Sequence, residues 1–342
     1  MGHSRGAGSL TGLGGYMTSN ELWHMARWRR GLLVLHYQIA TVATSIWQRR
    51  HRGCFGTASA LGACVTYIGI MLLAEIVLGA RARLLTSAYC WARCLDDAID
   101  SYASFAGSIG MRSYLNHKQA LIWNAQNLDT LALPVFYEDV LLAHLMKSAL
   151  HLDLSVQEEM KHLWEIFLYD VNRLHRFEVR SEEELIRHAT DQDCAILLPS
   201  IKVVGNDEHA RELISSLKGI FTRLDCFYDV LSDLRQGVVN IPREAVEAFR
   251  INLAQLKHCR TWREASAING FLAWYTWELE RLTMEWESAR RALEGFAMEL
   301  FSRMVHRRFT KRICYRLFLN LLNLFDELLS ECRQRVQQTK TQ

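Results

Sequence analysis

The sequence predicts an all-α fold, and three observations support this prediction. The chain of 342 residues contains only three prolines, so long stretches can continue as helix without interruption. Half of the residues are apolar, which is enough to bury a large helical core. Alternation of Val, Ile and Thr between turn residues, the pattern typical of strands, is hard to find.

The chain divides into one long domain between two short tails. Residues 1–19 are rich in Gly and Ser and are predicted to form a disordered N-terminal tail. Residues 20–330 are predicted to form a single all-helical domain, because no repeat or linker interrupts them. Residues 331–342 are polar and are predicted to form a frayed C-terminal tail.

Two strongly apolar segments, residues 31–47 and 55–80, precede the regular amphipathic helices. The second is long enough to span a bilayer and carries Glu75 among its apolar residues. We favour buried helices of the core, because the rest of the chain has the pattern of ordinary soluble helices. Association with a membrane is the alternative.

The charge and the cysteine content indicate which partners and which compartment fit this chain. A net charge of +3 with balanced acids and bases predicts no nucleic-acid partner. Nine cysteines include no Cys-x-x-Cys pair, so we expect reduced thiols in a cytoplasmic protein.

Helix boundaries can be read at several points of the second half. Ser181 to Glu184 form a capping box that opens a helix running to about residue 198. Gly237 and Pro242 end a later helix. That helix carries an apolar stripe at three-four spacing, predicted to be continuous over Leu213, Ile214, Leu217, Ile220, Phe221, Leu224, Tyr228 and Leu231.

The first acidic motif is Asp96, Asp97 and Asp100 in the segment SAYCWARCLDDAIDSY. On a helix, Asp96 and Asp100 lie one turn apart on a face that also carries apolar residues. Like charges at this spacing repel, and a divalent cation held by hard oxygen ligands removes the repulsion. The alternative is a solvated helix face on which Arg93 pairs with Asp97.

The second acidic motif strengthens the metal interpretation. Asp225, Asp229 and Asp233 follow one another at four-residue spacing, beside the apolar stripe. A surface helix gains nothing from such a row. Two acidic rows can instead hold Mg²⁺ around the phosphates of a substrate, which is the usual mode of Mg²⁺ binding.

Both motifs resemble those of the squalene/phytoene synthase family of class I isoprenoid synthases. The segments YCWARCLDDAIDSY and DCFYDVLSDLRQGVVNIPRE carry the resemblance, in the family's order. It implies the helical bundle of isoprenoid synthases with a central prenyl pocket, a prenyl diphosphate substrate, and about three Mg²⁺ ions that Mn²⁺ can replace. The catalytic and metal-binding roles carry over to Asp96, Asp97, Asp100, Asp229 and Asp233, and the metal role also to Asp225, where the family usually has Asn.

A departure from the family pattern bears on the reaction. Between the motifs, where the family keeps small residues, the chain has Asp193, Leu197, Leu198 and Pro199. A bulkier wall leaves room for one prenyl chain, which favours a sesquiterpene cyclase of the fungal humulene type that converts farnesyl diphosphate to a hydrocarbon. The alternatives are a squalene/phytoene-type transferase that joins two prenyl diphosphates, and a non-enzymatic, membrane-associated helical binding protein.

Cations are needed to hold the departing diphosphate as its charge develops. Arg180 precedes a capped helix N-terminus, which itself attracts phosphate. For Arg173 and Arg176 we favour solvated ion pairs. The predicted diphosphate-binding residues are Arg180, Arg235, Arg312 and Tyr315.

A carbocation requires a dry cavity lined by aromatic rings, whose faces stabilise positive charge without reacting. Aromatic residues flank both acidic motifs. Those predicted to line the pocket are Tyr89, Trp164, Phe221, Tyr228 and Trp274.

Overall fold

The computed structural model describes residues 17–18, 79–105, 108–123, 134–135, 137–174, 176–204, 209–303 and 308–340. The apolar segments 31–47 and 55–80 lie outside these residues, apart from Gly79 and Ala80. None of the helices in the described ranges is long and apolar enough to cross a membrane.

The predicted all-α class is confirmed. Within the described ranges the helices are α1 (Ala80–Phe105), α2 (Ser108–Trp123), α3 (Tyr137–His151), α4 (Gln157–Arg173), α5 (Glu182–Val204), α6 (Ala210–Ser216), α7 (Ile220–Tyr228), α8 (Val230–Gln236), α9 (Arg243–Ala248), α10 (Leu253–Leu256), α11 (Trp262–Ser266), α12 (Phe271–Arg303) and α13 (Arg308–Lys340). The described residues also include a short antiparallel pair of strands, β1 (Met17–Thr18) and β2 (Pro134–Val135). Strand β1 lies in the segment that was predicted to be a disordered tail.

The chain forms two compact units, residues 1–157 and 158–342. In the first unit α1 packs along α3. A buried ion pair also joins α2 to α3, because Lys118 Nζ lies 2.5 Å from Asp139 Oδ1 and His117 Nε2 lies 3.0 Å from Asp139 Oδ2. Lys118 is only 1% exposed, and a buried charge is tolerated only when it is paired in this way.

The core of the second unit lies between α7, α8, α12 and α13. Each helix turns an apolar stripe towards this core, as predicted for amphipathic helices. The large side chains buried there include Phe227, Phe271, Trp274, Tyr275 and Trp286. Several of their rings stack or meet edge to face. The rings of Phe227 and Tyr275 stack, with their centroids 4.1 Å apart.

The predicted capping box opens α5. Ser181 N–H donates to Glu184 Oε2 at 3.0 Å, and Glu184 N–H donates to Ser181 Oγ at 3.3 Å. The helix continues beyond its predicted end, through Pro199 to Val204.

The predicted continuous helix from Leu213 to Leu231 is wrong, because the chain turns sharply between α6 and α7. Lys218 and Gly219 both have positive φ, of 52° and 67°. At Gly219 a Cβ atom would lie 2.4 Å from the backbone carbon of Ala189, so only glycine fits against α5. The apolar stripe is thus carried by two helices at different angles.

The predicted polar tail from residue 331 is also wrong, because α13 continues to Lys340. Cys332 and Val336 are buried at four-residue spacing, which anchors these turns to the core. The indole Nε1 of Trp262 adds hydrogen bonds to Arg335 O at 3.0 Å and Thr339 Oγ1 at 2.9 Å. The exposed face of this segment carries Arg333, Gln334, Gln337 and Gln338.

Asp193 fixes the start of α7 instead of facing a pocket. Its carboxylate is 2% exposed and accepts hydrogen bonds from Phe221 N–H at 3.1 Å, Thr222 N–H at 3.0 Å and Thr222 Oγ1 at 2.7 Å. Burial raises the pKa of Asp193 to about 6, although these hydrogen bonds favour the charged form. The first turn of α7, and the acidic motif that follows, is therefore tied to α5.

Replacing this carboxylate should destabilise the second unit. In Asp193→Ala the amides of Phe221 and Thr222 lose their acceptor, and we expect the free energy of unfolding to fall by about 1–3 kcal/mol. Urea unfolding followed by circular dichroism measures this. The control is Asp191→Ala, since Asp191 is exposed on the same helix. Equal stability of the two variants would contradict the capping role of Asp193.

Candidate active site

The first acidic motif lies in the second half of α1. Arg93 Nη1 donates to Asp96 Oδ2 at 2.9 Å, so Arg93 pairs with Asp96. A partly exposed pair of this kind contributes less than about 1 kcal/mol, so it does not commit Asp96 to a structural role. Asp97 and Asp100 belong to the same helix, and their side chains are outside the described part.

The second acidic motif spans two short helices instead of one. α7 ends at Tyr228, Asp229 has φ −91° and ψ 8°, and α8 begins at Val230. The helical hydrogen bonds nevertheless continue, because Asp229 N–H donates to Asp225 O at 2.9 Å and Asp233 N–H donates to Asp229 O at 3.0 Å. The three aspartates therefore keep their spacing of one turn, with a local irregularity at the central residue.

The environment of the second motif favours oxygen ligands. Asp225 is exposed, whereas Asp229 and Asp233 are half-buried. Burial, and then the carboxylates of Asp233 and Asp225, raise the pKa of the neighbouring Cys226 thiol well above its ordinary value. Cys226 therefore stays protonated at neutral pH and does not offer a thiolate. The carboxylates remain as hard ligands of the kind that Mg²⁺ prefers.

Two residues without a predicted role at this motif, Asn240 and Arg173, are linked to it by hydrogen bonds. Asn240 Nδ2 donates to Asp233 Oδ2 at 2.7 Å, and Arg173 Nη2 donates to Asn240 Oδ1 at 2.7 Å. Arg173 was predicted to be solvated, but it is only 5% exposed, whereas Arg176 is exposed as expected. Arg173 and Asn240 are 67 residues apart, so no local pattern links them. The signal available was the position of Asn240 just after the motif.

Arg180 is held in a polar cluster. Its Nη1 donates to Tyr169 Oη at 2.5 Å, its Nη2 donates to Glu178 Oε2 at 3.0 Å, and its guanidinium lies 4.7 Å from the Tyr169 ring centroid. The same ring stacks on His188 at 3.9 Å, and His188 Nε2 lies 3.1 Å from Asp170 Oδ1. Arg180 is thus pre-oriented by partners on α4, and its contact with a diphosphate stays a prediction.

The last helix brings a cation to the second motif. Tyr228 Oη donates to Glu331 Oε2 at 2.7 Å, and Arg335 Nη1 donates to Tyr228 O at 2.9 Å. The guanidinium of Arg335 also lies 4.2 Å from the Tyr228 ring centroid, one residue before Asp229. No role at this motif was predicted for Arg335, because residues 331–342 were expected to form a frayed tail.

Arg312 and Tyr315, which are predicted to bind the diphosphate, lie in the first half of α13. Both precede Arg335 by at least 20 residues on α13, and a helix rises about 1.5 Å per residue, so they lie roughly 30 to 35 Å from it. Their contact with a diphosphate stays a prediction. Arg235 is exposed on α8, where it donates to Arg260 O at 3.4 Å.

The predicted pocket aromatics lie in different surroundings. Tyr89, in the first unit, is 54% exposed, whereas Trp164 and Trp274 are almost completely buried. Phe221 and Tyr228 lie on α7 itself and border the core of the second unit. Trp274 belongs to that core, which gives it a packing role, and the contact of these rings with a prenyl chain stays a prediction.

No group of three or more His, Cys, Asp or Glu side chains is close enough to hold a metal ion within the described ranges. The side chains of Asp97 and Asp100 are not among those described. The described carboxylates are therefore spaced as a row and not gathered around one point.

Comparison with known proteins identifies the fold. No protein-family model matches the chain. No curated protein matches it in sequence. Among solved structures, the chain is similar to squalene synthase HpnC from Alicyclobacillus acidocaldarius, with a TM-score of 0.55 and 15% sequence identity over 89% of this chain and 98% of that one. The chain therefore has an all-α fold of the isoprenoid synthase type.

Proposed function

We propose that the protein is a Mg²⁺-dependent class I enzyme that ionises a prenyl diphosphate. The observation that carries the proposal is the one-turn spacing of Asp225, Asp229 and Asp233 through the irregular junction of α7 and α8. The first motif, around Asp96, supplies a second set of carboxylates in a chain whose fold is similar to that of a squalene synthase.

The donor set suits Mg²⁺, the metal that the resemblance of the two motifs implies. The residues that would hold it are those of the two acidic motifs, all of them hard oxygen ligands. When bound, Mg²⁺ would neutralise charge on the diphosphate and stabilise it as a leaving group. The hydrogen bond from Asn240 already orients one of these carboxylates, that of Asp233.

Arginines of the second unit would bind the diphosphate itself. The cluster of Arg180 is linked to the acidic motif through Arg173, which lies over the same Tyr169 ring and donates to Asn240, the partner of Asp233. Arg335 approaches the same motif from α13. Both guanidinium groups are pre-oriented by neighbouring rings and hydrogen bonds, so little entropy is lost when they bind an anion.

The finer proposal is a sesquiterpene cyclase acting on farnesyl diphosphate. It is supported by Leu197, Leu198 and Pro199, which are half-buried on α5 and add bulk where the similar family keeps small residues. A pocket for one chain lets the allylic cation react only with its own distal double bond, giving a cyclic hydrocarbon, including products of the humulene type.

A second candidate is a transferase that joins two prenyl diphosphates head to head. The similarity of the fold to a squalene synthase favours it. The two reactions share the ionisation step and differ in the nucleophile that meets the cation, so metal dependence does not separate them.

Product analysis separates the two candidates. We expect the purified protein, given farnesyl diphosphate and Mg²⁺ without a nicotinamide cofactor, to release a volatile fifteen-carbon hydrocarbon and one diphosphate per product. Gas chromatography with mass spectrometry detects the hydrocarbon. Presqualene diphosphate, squalene or phytoene as the main product would establish the transferase instead. Parallel incubations with geranyl and geranylgeranyl diphosphate define the chain length.

Removing a single carboxylate tests the metal dependence. In Asp229→Asn the charge that holds the metal is reduced, and we expect diphosphate release to fall on the order of 100-fold or more with helix content unchanged. The control Asp191→Asn alters an exposed aspartate of α5 and should keep full activity. Full turnover in EDTA, or by Asp229→Asn, would contradict the metal dependence. Absence of turnover in the wild-type protein with Mg²⁺ would favour a non-enzymatic binding protein.

Arg180 is tested by its closest substitute. Arg180→Lys keeps the charge but loses the planar fork, which presents donors to Tyr169 and to a diphosphate in one fixed geometry. We expect kcat/KM to fall about tenfold, the equivalent of one charge-assisted hydrogen bond. The matched control is Arg176→Lys in the same segment, where the side chain is exposed. Equal kcat/KM in the two variants would show that Arg180 does not bind the diphosphate.

A further inference from the structure

The loop after the second motif folds back onto the helix that precedes it. Gly237 has φ 84°, and its N–H donates to Leu234 O at 3.1 Å, while Val238 N–H donates to Asp233 O at 2.9 Å. This is a Schellman ending, in which glycine takes the left-handed conformation and the chain reverses at once. Phe177 N–H donates to Gly237 O at 2.9 Å and holds the loop in place. The reversal brings Asn240 back beside Asp233.

The amide of Asn240 has one possible orientation. Arg173 can only donate hydrogen bonds, so the atom that faces it at 2.7 Å is the oxygen, Oδ1. An ionised carboxylate can only accept, so the atom that faces Asp233 is the nitrogen, Nδ2. Asn240 therefore presents an N–H group and not an oxygen to the acidic motif, and an amide N–H is not a metal ligand.

Arg173 is itself immobilised. It is only 5% exposed, and its Nη2 also donates to Val239 O at 3.0 Å. Its guanidinium lies 5.6 Å from the Tyr169 ring centroid, and its Nη1 lies 3.8 Å from Asp170 Oδ1. A buried guanidinium cannot leave its partners without losing hydrogen bonds that water does not replace. Arg173 thus fixes Asn240 from α4, a separate helix from the one that carries Asp233.

We propose that Asn240, held by Arg173, is a positioning residue that fixes the Asp233 carboxylate for metal binding. The bond to Asn240 uses one of about four lone-pair positions of the carboxylate, so it orients the group without blocking coordination. Partners that orient a metal-ligating side chain commonly change metal affinity by about 10–100-fold. The inference rests on the proposed function, because it takes Asp233 as a metal ligand.

The test measures metal affinity apart from turnover. Mn²⁺ is titrated into the full-length protein, and free Mn²⁺ is followed by electron paramagnetic resonance. We expect the dissociation constant to rise about tenfold or more in Asn240→Ala. In the Asp233→Asn background, Asn240→Ala should produce no further rise, because the carboxylate that it orients is already gone.

The control is Asn252→Ala, which removes another asparagine hydrogen bond in the same unit, that from Gln255 N–H to Asn252 Oδ1 at 3.1 Å. It should lower the urea midpoint and leave the dissociation constant for Mn²⁺ unchanged. Arg173→Lys serves as the second variant if Asn240→Ala fails to fold. It keeps the buried charge, loses the fork, and should weaken Mn²⁺ binding in the same direction.

The outcomes are distinct. A dissociation constant that is unchanged in Asn240→Ala, or in Arg173→Lys if only that variant folds, overturns the positioning role and leaves the proposed function standing. Absence of Mn²⁺ binding that depends on Asp229 and Asp233 in the wild-type protein overturns both. A weaker affinity in Asn240→Ala, with Asn252→Ala unchanged, supports the inference.

Discussion

Carboxylates one turn apart on a helix repel each other, and the second unit must hold three of them in a row. This repulsion is offset by apolar burial on the opposite side of the same segment. The residues buried there, at 5% exposure or less, are Leu224, Phe227, Val230 and Leu234. Burial of such side chains stabilises the fold by about 1.5–3 kcal/mol each, more than exposed like charges oppose it. The acidic row therefore depends on how α7 and α8 pack against α12 and α13.

A buried ion-pair network reinforces this packing just before the acidic row. Arg223 of α7 lies 3.7 Å from Glu278 of α12, and the side chains of both are 9% exposed. Arg281 contacts the same Glu278 and also reaches Glu182, the first residue of α5. Burial raises the pKa of Glu278 and its arginine partners oppose that rise. Glu278 is shared by Arg223 and Arg281, so the network fixes α5, α7 and α12 together.

The fold and the proposed chemistry make different demands on the chain. An isoprenoid synthase-type bundle needs long amphipathic helices, and many sequences satisfy that need, as 15% identity at a TM-score of 0.55 illustrates. The proposed chemistry needs oriented groups at a few positions, because function lies in a site and not in a fold. Asn240, Arg173 and Arg335 supply such orientation around the second motif.

The sequence by itself determined the helical class, the capping box at Ser181 and the end of α8 at Gly237, because these follow from periodicity and from local hydrogen bonds. It also determined the spacing of the aspartates, which is a property of the helix. The tertiary structure alone decided the turn at Gly219, the helical course of residues 331–340, and the burial of Arg173. Each of these depends on a partner far away in the chain. Gly219 packs against α5, α13 accepts a hydrogen bond from Trp262, and Arg173 donates one to Asn240. Contacts between distant segments leave no periodic trace in the sequence, so only the packed chain reveals them.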